Sequence, residues 1–84
     1  MPTAYVVMNV NADSEIAVIK SIKEMLKSSS SVKYEIQGVY GVYDLVLKIV
    51  TEKIEDLRDL VAKIRRVDKI RSTITMLVIE EQEI

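Results

Sequence analysis

Apolar residues recur along this chain first at every second position and then about every 3.6. The order in which those two periods succeed one another limits the fold more than any single residue does. The run from Ala4 to Val10 is short, β-branched and aromatic, and it closes on the turn-forming stretch Asn9-Val10-Asn11-Ala12-Asp13, which marks a first strand. Asp13 is placed to accept hydrogen bonds from the free N–H groups of a first helix, and Glu15 falls in that helix's electropositive first turn. Ile16, Ile19, Ile22 and Leu26, with Met25 beside them, supply the apolar stripe, while Lys20, Lys23, Glu24 and Lys27 supply the wet side. Ser28, Ser29, Ser30 and Ser31 compete for local backbone hydrogen bonds and predict a loop.

Val32, Tyr34 and Ile36 then alternate with Lys33, Glu35 and Gln37 in a second, half-exposed strand that Gly38 loosens. Gly41 predicts a tight reversal, because glycine tolerates backbone angles that a side chain forbids. The third strand follows, with Leu45, Leu47 and Ile49 on one side and Val46 and Val50 on the other. Ile54, Leu57, Leu60, Val61 and Ile64 form a second helical stripe opposite Glu55, Asp56, Arg58, Asp59 and Lys63. A fourth strand starts near Ile70, carrying the hydroxyls of Ser72, Thr73 and Thr75 first and apolar residues of both parities afterwards. Glu80, Glu81, Gln82 and Glu83 read as a frayed acidic tail.

The order strand, helix, strand, strand, helix, strand is the ferredoxin-like βαββαβ arrangement of the α+β class, with two helices over one face of a four-stranded antiparallel sheet. At 84 residues this is one domain spanning 1–84. The first strand offers Ala4, Val6, Met8 and Val10 to one face and Tyr5 and Val7 to the other, so both faces look apolar. Helices seal one face only. Leaving the other wet forfeits on the order of 25 cal/mol for each Å² of apolar area. The expectation is a homodimer packed sheet against sheet, as a dimeric α/β barrel, with larger assembly built on it.

Composition removes whole classes of function. Cysteine and histidine are both absent, which takes away disulfides, thiolate nucleophiles, imidazole bases and the usual zinc ligands together. No catalytic residue, metal ligand or cofactor is therefore assigned, and the chain is not expected to be an enzyme. The net charge of −1 supplies no field to draw the protein onto phosphate backbones, so no direct nucleic-acid partner is expected. No apolar run approaches the roughly 20 residues that span a bilayer, and the first residues do not read as a signal peptide, which argues for a cytoplasmic protein with no membrane partner. Arg65, Arg66, Lys69 and Arg71 are open to two readings, an anion-binding patch or a solvated helix end.

The pattern Gly41-x-Tyr43-Asp44-Leu45, followed by a helix ending Ile64-Arg65-Arg66, then Val67 and Ser72-Thr73-x-Thr75, resembles the C-terminal effector domain of Lrp/AsnC transcriptional regulators over nearly the whole chain. The resemblance implies a ferredoxin-like unit that dimerises through its sheet, associates into rings of dimers such as octamers or decamers, and binds an amino-acid effector near the contacts between dimers. Typical members carry a helix-turn-helix domain ahead of this one. Here the first strand starts almost at Met1, so the expectation is a stand-alone effector domain that acts by mixing with full-length Lrp/AsnC regulators or through another partner.

A free amino acid presents an ammonium and a carboxylate, and a site for it needs an anionic acceptor and a set of donors. Asp44 supplies the acceptor, the backbone around Gly41 can approach closely, Tyr40 or Tyr43 can wall the pocket, and Ser72, Thr73 and Thr75 offer hydroxyls. Each has a plainer role as well: Asp44 as a turn residue, Gly41 as a structural glycine, the threonines as β-formers and the tyrosines as packing residues. A ligand-free assembly module and a dimeric α/β-barrel enzyme stand as the alternatives to an effector-binding regulatory domain.

Overall fold

In the computed structural model, which describes residues 1–29 and 31–79, the elements follow the expected order. They are β1 (Thr3–Val10), α1 (Glu15–Lys27), β2 (Lys33–Gly38), β3 (Leu45–Val50), α2 (Ile54–Ile64) and β4 (Ile70–Leu77). The acidic tail expected at Glu80 to Glu83, and Ser30 of the serine loop, lie outside the described residues. The strands form an antiparallel sheet in the order β2-β3-β1-β4, so β1 and β3 are central and β2 and β4 are edges. This is the ferredoxin-like arrangement. Among the described residues, no helix is long and apolar enough to cross a membrane.

Register explains which residues make the core. Val6 stands opposite Leu47 on β3 and Thr75 on β4, and Ile36 of β2 also faces Leu47. Because side chains alternate, the helix-covered face carries Ala4, Val6 and Met8, then Leu45, Leu47 and Ile49, and every one of these is fully buried. Val18, Ile22 and Leu26 of α1 and Leu57, Leu60 and Ile64 of α2 close over them. Burying a side chain of this size contributes about 1.5–3 kcal/mol.

Several local expectations need correction. Ser14, not Asp13, occupies the residue before α1, and no side-chain bond caps the helix there; Asp13 is in the left-handed region at φ 61°. Asp13 turns the chain instead, a conformation that aspartate tolerates better than most residues. Ile16 is 76% exposed, and Val18 takes the buried place that Ile16 was expected to fill. At 3.6 residues per turn, Ile16 points about 120° away from Ile22 around the helix, so the two cannot share a stripe only a third of the circumference wide. The reversal after β2 is not tight: residues 39–44 intervene, closed by the Val39 N–H donating to the Asp44 carbonyl at 2.9 Å.

The uncovered face is less uniform than its strands suggested. β2 places Lys33, Glu35 and Gln37 on it, all exposed, and the Lys48 ammonium of β3 lies 5.9 Å from the centre of the Tyr5 ring. The apolar part consists of Tyr5 and Val7 of β1, Val46 and Val50 of β3, and Ile74 and Met76 of β4, with Val78 beside Tyr5 and Val50 just beyond the strand. It is a patch toward the β4 side of the sheet rather than a whole greasy face.

Candidate functional site

The strands do not end level, and the site is built at that step. β1 runs on to Val10 after β3 has begun only at Leu45, so the Val10 N–H has no strand partner on the β3 side. Asp44 fills the gap. Its backbone N–H donates to the Met8 carbonyl at 2.9 Å, and its carboxylate Oδ2 accepts from the Val10 N–H, also at 2.9 Å. The turn role considered for Asp44 is thus replaced by another: its carboxylate satisfies an N–H of β1 rather than of the hairpin, standing in for the next carbonyl of the ladder. That bond uses one of about four lone-pair positions on the group and leaves Oδ1 for a second donor.

On the other side of β1 the ladder to β4 slips. Asn9 pairs with Ser72 but Val10 pairs with Ile70, so Arg71 is an extra residue with no counterpart. This β-bulge reconciles two demands. Ile70 packs against the core from opposite Val10, while Thr73 lies on the same face opposite Met8; these positions are three apart, and strict alternation would put them on opposite faces. Asn9 Nδ2 lies 3.5 Å from Ser72 Oγ across the join, a long hydrogen bond.

Two open depressions result, and Asp44 lines both. The first is formed by Asn9, Asp44, Arg71 and Ser72 over the end of β1. The second lies beside it, formed by Glu15, Gly38, Val39, Tyr40 and Asp44. The expected site residues are therefore divided. Asp44 and Ser72 share the first depression, and Tyr40 and Asp44 share the second. Gly41 sits at the exposed tip of the connecting loop with φ 139°, where glycine is needed for its backbone freedom and a Cβ would meet nothing within 4 Å. Tyr43 is half-buried and lines neither depression. Thr73 and Thr75 oppose Met8 and Val6, so they share the helix-side parity of β4 and the sheet separates them from Ser72. Asn9, Glu15 and Arg71 were not among the expected residues. The sequence hints at Arg71 through its place among four cations open to an anion-binding reading and through the odd spacing of Ile70 and Thr73, which becomes informative once both are known to face the core.

Comparisons with known proteins bear on the family and the fold. A family model described as the Lrp/AsnC ligand binding domain matches residues 3–83. The chain belongs to that family. The family model describes it as a ligand-binding domain. Among solved structures it is similar to FFRP-DM1, with 35% identity and a TM-score of 0.77 over 94% of this chain and 100% of that one. It is also similar to hypothetical protein PHS023 from Pyrococcus horikoshii, with 36% identity and a TM-score of 0.72 over 96% and 93% of the two chains. Escherichia coli AsnC shares the fold at 23% identity and a TM-score of 0.65; the domain covers 99% of this chain but only 54% of that one. No curated protein matches the chain.

Proposed function

We propose that this Lrp/AsnC ligand-binding domain is a non-enzymatic regulatory module that dimerises through its uncovered sheet face and binds a free amino acid beside Asp44. The observation that carries the reading is the Asp44 carboxylate. It is oriented by the Val10 N–H, is open on its other oxygen, and is set in a solvent-accessible depression rather than closed into the core. A ligand ammonium binds Oδ1, and the ligand's carboxylate binds donors across the depression, of which Ser72 is one. The patch of Tyr5, Val7, Val46, Val50, Ile74 and Met76 supports the dimer, since an apolar patch rimmed by Lys33, Glu35 and Gln37 has the composition of an interface.

Ligand binding then regulates by favouring one assembly over another. A ligand shifts such an equilibrium only by the difference between its affinities for the two states, and it stabilises the state that it binds more tightly. Longer family members that carry the same domain, as E. coli AsnC does over about half its length, are the natural partners for mixed assembly. The test is thermal-shift screening against the protein amino acids together with mass measurement in solution. The expected result is a dimer or larger assembly, with one amino acid or a few related ones raising Tm and shifting the mass distribution. A monomer at micromolar concentration that no amino acid stabilises would overturn the proposal, and an assembly indifferent to every amino acid would favour a purely structural module.

A further inference from the structure

The two depressions that share Asp44 differ in charge. The one toward α1 adds a second carboxylate, Glu15, and no cationic side chain, whereas the one over the end of β1 adds Arg71, Asn9 and Ser72, all of which can donate. Of the two, the depression over the end of β1 is therefore the one that offers a cation to a ligand's carboxylate. We infer that Arg71, delivered to this depression by the β4 bulge, takes the α-carboxylate of the ligand, so that the depression over the end of β1 recognises the zwitterion of a free α-amino acid. This rests on the amino-acid reading of the same site and extends it to the group that must balance Asp44.

Geometry supports the assignment in three ways. In an unbulged strand Arg71 and Ser72 point to opposite faces; as the extra residue opposite the Asn9–Val10 step, Arg71 lines the same depression as Ser72. In the order β3-β1-β4, Asp44 at the start of β3 and Arg71 on β4 flank the end of β1, two inter-strand spacings or roughly 9–10 Å apart at the backbone. Third, the helix-end role covers Arg65, which is the C-cap of α2, and its neighbour Arg66, but not Arg71, which already belongs to β4. A guanidinium also matches a carboxylate with two parallel donors, which an ammonium cannot do. Ser72 Oγ, accepting from Asn9 Nδ2, keeps its own proton to donate to the same carboxylate.

The experiment uses the amino acid that stabilises the wild-type protein most, its carboxamide, which lacks the negative charge, and its N-acetyl derivative, which lacks the positive one. Affinities are measured by calorimetry for wild type, Arg71→Gln, Arg71→Lys and Asp44→Asn. Arg71→Gln is expected to weaken binding of the free amino acid about ten- to hundredfold and to leave carboxamide binding unchanged, with Arg71→Lys in between. Asp44→Asn is expected to weaken the free amino acid but not the N-acetyl derivative. Equal affinity of wild type and Arg71→Gln for the free amino acid overturns the role of Arg71 while the amino-acid reading stands. If no protein amino acid binds the wild type, both fall.

Discussion

The two faces of this sheet are made from the same strands by the same alternation, yet they end in different states. On one, Ala4, Val6, Met8, Leu45, Leu47 and Ile49 are sealed completely under two helices. On the other, Val7, Val46 and Val50 are only half-buried, Ile74 and Met76 are about half exposed at 48% and 49%, and Lys48 leans over Tyr5. An apolar residue in a strand thus says that a face is to be covered and leaves open by what. The covered face specifies the subunit. The open one is suited to specify what the subunit joins.

That contrast is open to direct tests, and the largest effect belongs to the covered face. Leu47→Ala, at the centre of the sheet under the helices, is expected to cost about 2–5 kcal/mol in urea unfolding, because the neighbouring strands cannot collapse into the space it leaves. Val7→Glu, in the apolar patch of the other face, is expected to preserve the circular-dichroism spectrum and to convert the proposed dimer to single chains by light scattering; a dimer that survives it would mean the patch is not the interface. Asp44→Ala removes the partner of the Val10 N–H and is expected to cost about 1–3 kcal/mol in the same unfolding assay, along with any stabilisation by ammonium-bearing ligands. The smallest effect is expected for Ile16→Ala, within about 0.5 kcal/mol, and a loss comparable to that of Leu47→Ala would show that α1 is covered in solution by something beyond its own sheet.

Much of the fold was legible because it rests on periods that local sequence carries. Tyr34 and Ile36 against Lys33, Glu35 and Gln37 predicted a half-exposed strand, and the structure has β2 there as an edge. The stripe of Ile54, Leu57, Leu60, Val61 and Ile64 predicted α2, of which Leu57, Leu60 and Ile64 are buried, Val61 is half-buried and Ile54, at the first position, is exposed. Ile16 misled for a local reason, since its apolar side chain lies off the stripe that Val18, Ile22 and Leu26 define. The site was legible only in part. Asp44 stood out by its place after a glycine loop, but its bond to Val10 spans 34 positions, and nothing near Asp44 in sequence announces it.

The sequence by itself determined the order of elements, the alternation of side chains along the first three strands, and the absence of cysteine and histidine chemistry, because each of these follows from residue type and spacing along a few neighbouring positions. Only the tertiary structure decided that Thr73 and Thr75 part company with Ser72, and that Arg71 joins Asp44 over the end of β1. Register is a property of two strands at once. One extra residue between Ile70 and Ser72 resets which side chains share a face, and no single strand read alone contains that information.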